Sequence, residues 1–403
     1  MKKRKSNDLN LNIADTNSLF EGLDLSIFLS IVNFLALYYF KSLDYNLTLV
    51  LTISVVLSSF FIRLFVPLLV SKLSQKISYH KLQLFLLILG YGLPLIVVNN
   101  LFYGFSIILF LFSRIVIGIY FGLSCSQNFE NHSEKIMIHS DVKYWFFFII
   151  GIFLGFVSTE VLNDIFSNTS LSNGSWKWVL IFLIIPNLVK LFFLKKSTFY
   201  YESLNSYFSS FEYKLDKRLV KSVFENIIVL IPITLLILYS SSFWLPSSVL
   251  PENKQFSEVL FINVILVLIV MVCSHFIFEL ISKVKSYILV SYSGIFIFLI
   301  LGLYSGNFSS YSISLLHFVV SIYSGISLAL FNFSSVNRNF QKSSNSFISY
   351  SILLIFAQLL ITIFIYFLIF NIVQYKFVYL FLFFLYSLSL LGYYVLKKQE
   401  FTN

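Results

Sequence analysis

The chain has 403 residues, of which 58% are hydrophobic and only 11% are charged. No soluble core needs so much apolar sequence, so this composition excludes a soluble enzyme or binding module. The formal net charge of +10 does not indicate a nucleic-acid partner, because the lysines cluster at the ends of apolar runs.

Apolar runs of about 20 residues recur along the chain, and each is long enough to cross a bilayer. The sequence therefore predicts an all-α integral membrane protein with twelve transmembrane helices. The predicted spans 1 to 6 are Phe20–Phe40, Leu49–Val70, Leu82–Val98, Gly104–Leu123, Tyr144–Ile165 and Trp176–Leu194. The predicted spans 7 to 12 are Val223–Phe243, Val259–Leu280, Tyr287–Tyr304, Ile313–Phe333, Phe347–Ile372 and Phe377–Leu396.

These spans divide into two groups of six around the longest polar break. The sequence predicts a disordered N-terminal tail over residues 1–19 and a six-helix bundle over 20–194. A basic central loop over 195–222, a second six-helix bundle over 223–396 and a short tail over 397–403 follow. A shorter polar loop is predicted over residues 124–142.

The distribution of basic residues predicts the orientation. About 21 of the 28 lysine and arginine residues fall on the face shared by both termini and the central loop, and about four on the other face. Cytoplasmic loops carry this excess. We therefore expect both termini and the central loop to be cytoplasmic in a multi-pass protein of the cell (inner) membrane.

Three charged residues near the start of the first two spans form one candidate site. Glu21 and Asp24 are three residues apart, so they share a helix face. Arg63 lies at similar depth in the second span, where it could pair with either acid. This arrangement fits a substrate or proton site, and it also fits a structural ion pair.

Arg114 lies deeper, near the middle of its predicted span. A charge at this depth costs about 2.5–3.5 kcal/mol on insertion scales and usually faces the bundle interior. Arg114 is therefore a candidate for binding an anionic or zwitterionic solute, and the alternative is pairing with a neighbouring acid or carbonyl. His317 and Gln358 are lone polar residues in later spans and are weaker candidates for a solute cavity.

Small and aromatic residues carry structural predictions. Two GxxxG patterns, Gly118/Gly122 and Gly151/Gly155, predict close helix packing. Trp176 and Trp178 are typical of an aromatic belt at the membrane interface. The sequence contains no Walker loop, HExxH, nucleophile elbow or Cys/His metal spacing, so we expect neither an enzyme nor a cofactor or metal.

The order of several local motifs resembles the major facilitator superfamily, and more narrowly its metabolite:proton symporters for proline/betaine, α-ketoglutarate and citrate. The acidic pair in FEGLDLSIF, the arginine in FFIRLF, the basic residue and glycines of RIVIGIYFG and the aromatic-Pro-Ser turn at Phe243–Ser247 carry this resemblance. Ser175, Trp176 and Lys177 resemble the family's Gly-Trp-Arg.

The loop after the second span is similar in spacing to the family's gating signature G-x-L-G-D-x-x-G-R-x-K. It reads SKLSQKISYHK, and the positions of interest are Lys72, Gln75, Lys76 and Lys81. Serines replace the glycines, and Gln75 replaces the aspartate. In relatives this loop is thought to latch the two halves in one state.

The resemblance implies a monomeric secondary transporter that moves a small organic solute, a zwitterion or organic anion, by alternating access with proton symport. Its partners would be the bilayer, the solute and H⁺. Two alternatives stay open. The departures in the loop fit a non-transporting carrier that acts as a membrane sensor or scaffold, and twelve helices also fit an exporter or flippase of another superfamily.

Overall fold

The structure is a computed structural model and describes residues 2–40, 44–66, 79–96, 103–126, 134–166, 173–194, 255–281, 283–304, 310–331, 360 and 375–402. All regular secondary structure in these ranges is helical, which confirms the predicted all-α class. The α-helices are α1 (Lys2–Ser30), α2 (Val32–Tyr39), α3 (Tyr45–Phe61), α4 (Tyr79–Ile96), α5 (Tyr103–Ser126), α6 (Glu134–Ile165), α7 (Val179–Leu194), α8 (Gln255–Leu280), α9 (Lys283–Tyr304), α10 (Ser310–Phe331) and α11 (Tyr375–Thr402). Short 3₁₀ helices at Ile62–Phe65 and Ser175–Trp178 extend α3 and precede α7.

The described helices account for ten of the predicted spans. Spans 7 and 11 lie outside the described residues, apart from residue 360, so a count of twelve stays a prediction. By length and composition, three described helical segments can cross a membrane, namely Ser106–Leu123, Ser175–Phe192 and Lys285–Leu303. The pair Thr16–Ser30 and Val32–Tyr39 adds a fourth if it is one bent span.

Two polar segments that we predicted to be non-helical are helical in the structure. Helix α1 begins at Lys2, so the prediction of a disordered tail over residues 1–19 is wrong. Helix α6 begins at Glu134, inside the predicted loop over residues 124–142. Neither segment contains a glycine or proline, so nothing in its backbone chemistry stops the helix from extending beyond its apolar part.

The first predicted span is broken into α1 and α2, which meet at an angle of 59°. Ile31 at the junction adopts φ −96° and ψ 10°, outside the helical region. The serines just before it bond back to the helix, with Ser26 Oγ donating to the Gly22 carbonyl at 2.9 Å and Ser30 Oγ to the Ser26 carbonyl at 2.8 Å. Such back-bonding is a known cause of helix bending.

The chain divides into two compact units, Met1–Lys214 (unit 1) and Leu215–Asn403 (unit 2). In unit 1, α1 packs along α6, while α5 packs against both α3 and α4. Helix α7 packs against α4. In unit 2, α8 pairs with α10 and α9 pairs with α11.

The outward faces of these helices are apolar, as lipid contact requires. Helix α9 exposes five large side chains at helical spacing, namely Leu289, Tyr292, Phe296, Ile300 and Leu303. Its opposite face is buried and carries hydroxyl groups, including Ser286, Tyr287 and Ser291. A helix in water has the reverse arrangement, with its polar residues outside.

The four GxxxG glycines lie at close contacts between helices of unit 1. A Cβ at Gly118 would lie 2.8 Å from the backbone carbonyl carbon of Ser59 in α3. One at Gly122 would lie 2.7 Å from Val66, and one at Gly151 would lie 2.8 Å from the Leu23 nitrogen. One at Gly155 would lie 3.0 Å from the Leu23 carbonyl oxygen. Because glycine has no side chain, the backbone of α1 can lie directly against that of α6, and the backbone of α3 against that of α5.

Replacing Gly118 or Gly155 by alanine is expected to lower the melting temperature, and leucine should also reduce the folded yield. Replacing glycine by alanine within a helix otherwise stabilises the helix by about 1 kcal/mol. A lower melting temperature would therefore indicate that the added methyl group clashes with the neighbouring helix. Gly92 is the matched control, because nothing lies within 4 Å of a Cβ placed there. Thermal unfolding in detergent measures the effect, and equal melting temperatures for Gly118→Ala, Gly155→Ala and Gly92→Ala would contradict it.

Candidate functional site

Six charged side chains are buried among the described residues of unit 1, and four of them form two ion pairs. Glu21 and Asp24 lie on α1, Arg63 in the 3₁₀ turn after α3, and Arg114 on α5. Their exposed fractions are 2%, 3%, 4% and 1%. Charges removed from solvent to this degree require partners, because the cost of desolvation is several kcal/mol for each ion.

Asp24 and Arg114 form a two-pronged ion pair. Arg114 Nη1 donates to Asp24 Oδ1 at 2.9 Å, and Nη2 donates to Oδ2 at 2.7 Å. Tyr91 on α4 donates its hydroxyl to the same Oδ1 at 2.9 Å. The planar guanidinium matches the two oxygens of a carboxylate in this geometry. Such bidentate, charge-assisted pairs are among the strong hydrogen bonds of proteins.

Further contacts hold Arg114 in place. Its Nε donates to the Val56 carbonyl at 3.4 Å, and its Nη2 approaches Ser59 Oγ at 3.4 Å. The guanidinium carbon lies 4.2 Å from the centre of the Phe28 ring, within cation–π range. Two neighbouring helices, α1 and α3, therefore fix the position of this cation.

Glu21 is the partner of Arg63, whose Nη1 donates to Glu21 Oε1. The Arg63 guanidinium carbon also lies 4.1 Å from the centre of the Phe60 ring. Glu21 and Asp24 are thus on one side of α1, as expected, but each has its own arginine. Three residues of helix separate the acids by about 4.5 Å along the axis, which matches the different depths of the two arginines.

This geometry distinguishes between the pairings that the sequence left open. Arg63 contacts Glu21 rather than Asp24, and Arg114 pairs with an acid, which was one of its two alternatives. The sequence did not indicate Tyr91, because a tyrosine inside an apolar helix is common. Only its burial, at 0% exposure, and its hydrogen bond identify it as part of the site.

The remaining predicted site residues do not join this cluster. Lys72, Gln75, Lys76 and Gln358 lie outside the described residues. His317 belongs to α10 in unit 2, and only its place on the helix is described. Lys81 is exposed at the start of α4. In the part of the chain that the structure describes, no three His, Cys, Asp or Glu side chains meet to hold a metal.

The two tryptophans of the predicted aromatic belt have different environments. Trp178 is 57% exposed, as a belt residue would be. Trp176 is fully buried and contacts Tyr38 and Tyr39, with ring centres 5.8 and 6.0 Å apart. The prediction of a belt position is therefore wrong for Trp176, because the 3₁₀ turn directs neighbouring side chains to different faces.

The interior of unit 2 has a different chemistry. Among its described residues, the buried polar side chains are one asparagine and several serines, with no buried charge. Tyr287 pairs with Ser389, and Tyr386 lies 3.2 Å from Ser327. Hydroxyl groups can donate and accept, so the described part of this interior can hydrogen-bond a neutral group.

No protein-family model matches the chain, and no curated protein matches it in sequence. Solved structures match it in fold. The proton:xylose symporter XylE from E. coli, bound to 6-bromo-6-deoxy-D-glucose, is 14% identical with a TM-score of 0.67, over 96% of this chain and 94% of that chain. The human organic anion transporter MFSD10 is 14% identical with a TM-score of 0.60, over 96% and 98%.

The transporter FucP in its outward conformation is 13% identical with a TM-score of 0.57, over 94% of this chain and 97% of that chain. At such identities the likeness establishes the fold alone. The chain shares the fold of these transporters, of which XylE and FucP belong to the major facilitator superfamily.

Proposed function

We propose that this protein is a secondary active transporter that carries a small organic solute, a zwitterion or organic anion, together with protons. The fold of transporters supports the general class. The single observation that carries the coupling is the buried Asp24–Arg114 pair with Tyr91 on the same carboxylate. Ionisable residues at membrane depth commonly mark ion pathways and proton relays.

The proposed mechanism is alternating access, in which the solute site opens to one side of the membrane and then to the other. Asp24 as a carboxylate attracts Arg114 through two charged hydrogen bonds. Protonation removes the negative charge and one acceptor, so the pair weakens and its helices gain freedom to separate. A proton taken up at Asp24 would thereby shift the balance between two conformations.

Uptake by the purified protein in proteoliposomes tests this function. A panel of radiolabelled amino acids, betaines and carboxylates is offered with and without an inward proton gradient. We expect at least one solute to accumulate above its external concentration only when the gradient is present. Absence of flux for every solute would instead favour the sensor or scaffold hypothesis.

We further propose that the protein acts as a monomer in the cell (inner) membrane with both termini and the central loop in the cytoplasm. Reporter fusions after Leu194 and after Lys398 are expected to report the cytoplasmic side, because the lysine and arginine excess lies on that face. A fusion at Asn173, before the 3₁₀ turn, is the control and should report the outer side. An outer location for either of the first two fusions would contradict the topology.

A further inference from the structure

A second polar cluster of unit 1 lies between the C-terminal end of α2 and the N-terminal end of α7. Tyr38 and Tyr39 close α2, and Trp176 and Lys177 lie in the 3₁₀ turn before α7. All four are buried, and Trp176 has no exposed surface. We name these four residues the Lys177 cluster. None of the four is a member of the ion pairs at Glu21 and Asp24.

Three hydrogen-bond donors in the Lys177 cluster are poorly satisfied. The indole Nε1 of Trp176 and the hydroxyl of Tyr39 are buried without a hydrogen-bond partner in the structure. Lys177 Nζ has a long contact to Tyr38 Oη at 3.5 Å, and no described carboxylate lies within 4 Å of it. Buried donors are nearly always paired, so three together indicate an acceptor that the described part of the chain does not supply.

The rings around the ammonium group supply only partial compensation. Lys177 Nζ lies 5.1 Å from the centre of the Tyr38 ring and 5.9 Å from that of Trp176. Gly174 has φ +115°, and a Cβ there would lie 3.4 Å from Lys177 Nζ. Glycine at this position therefore lets the backbone turn tightly beside the ammonium group.

The chemistry of the donors defines the ligand. An ammonium and an indole N–H can only donate, so the group that they bind must accept. A carboxylate accepts through both oxygens and carries the negative charge that pairs with the Lys177 ammonium, whereas a neutral sugar hydroxyl carries no charge. The aromatic rings, including Phe110 stacked on Tyr39 at 4.8 Å, suit an apolar body attached to that carboxylate.

We propose that the Lys177 cluster binds the carboxylate of a small organic anion with an apolar body. Arg114 is already engaged by Asp24 through two hydrogen bonds, so the cation that recognises the anion is Lys177. The binding claim stands on this geometry, and the further claim that the anion is cargo rests on the proposed transport function.

Equilibrium dialysis of the purified full-length protein with radiolabelled benzoate tests the site. Lys177→Met removes the charge at similar length, and we expect it to raise the Kd by about 10-fold to 100-fold, as for loss of a charged hydrogen bond. Trp176→Phe keeps a ring without the donor, and the Kd should rise by about 2-fold to 10-fold. Lys177→Arg should retain binding, and Lys285→Met, at an exposed lysine of unit 2, should match the wild type.

Competition separates the possible ligands. Acetate should compete with benzoate, and benzyl alcohol, which has the same ring without the charge, should not. Equal competition by benzyl alcohol, no binding of benzoate by the wild type, or unchanged binding by Lys177→Met would each overturn the proposal. Stabilisation by phosphatidylglycerol without benzoate binding would assign the site to a lipid phosphate and overturn it as well.

The same protein distinguishes this inference from the transport proposal. Benzoate binding without any proton-driven flux would leave the anion site intact and refute transport. Proton-driven flux of some solute without benzoate binding would refute the anion site and leave the transport proposal intact.

Discussion

Replacing Arg114 by glutamine is expected to destabilise the folded protein by about 3–5 kcal/mol, the usual cost of removing one partner from a buried ion pair. The variant leaves the Asp24 carboxylate at 3% exposure with only the Tyr91 hydroxyl as a described hydrogen-bond donor. Thermal unfolding in detergent micelles measures the loss. The effect should be among the largest of any single substitution in unit 1.

The double variant Arg114→Gln/Asp24→Asn provides the decisive comparison. It replaces both charges by amides that can hydrogen-bond to each other, so it should recover part of the stability lost by the single variant. Lys81→Gln is the control, because an exposed lysine contributes little. If the double variant loses as much as the sum of the single variants, the two residues do not interact and the assigned pair is wrong.

Asp24→Asn is expected to abolish solute accumulation driven by a proton gradient while retaining exchange of labelled for unlabelled solute. Asparagine keeps an oxygen that can accept from Arg114 and Tyr91, but it cannot bind and release a proton near neutral pH. Exchange requires no net change of protonation, so it should continue. Both activities are measured in the same batch of proteoliposomes.

Glu21→Gln is the matched control, since it removes the other buried carboxylate three residues earlier on α1. We expect it to lower stability through the loss of its pairing with Arg63 but to preserve proton-driven accumulation. Normal accumulation by Asp24→Asn would refute the coupling role of Asp24. Loss of accumulation by Glu21→Gln alone would assign coupling to Glu21 instead.

The sequence was sufficient to predict the helical class and the approximate position of ten helices, because apolar runs of membrane length are a strong signal. It also singled out Glu21, Asp24, Arg63 and Arg114, since a charge in an apolar segment is rare enough to be noticed. Which acid pairs with which arginine depends on how far each helix is displaced along its neighbour. Spacing within a single helix does not contain this information.

Other features left no clear pattern in the sequence. The extension of α1 to Lys2 and of α6 to Glu134 depends on helix propensity in polar segments, which an apolar-run criterion ignores. The burial of Trp176 beside the exposed Trp178 depends on a 3₁₀ turn that hydropathy cannot detect. Serines at Ser26 and Ser30 were a possible signal for the bend, but serines are frequent throughout this chain.

The bend at Ile31 has a mechanical consequence. Helix α2 extends about 12 Å from the junction at 1.5 Å per residue, and at 59° its far end lies about 10 Å off the axis of α1. The bent helices α1 and α2 therefore convert rotation into lateral displacement. A rotation of α1 by about 10° about its own axis would move Tyr39 sideways by about 2 Å. An unbent helix of the same length would rotate in place. A small rotation of α1 at Asp24 would thus displace the end of α2 beside Trp176 and Lys177. Straightening the bend would remove this displacement and leave every charge in position.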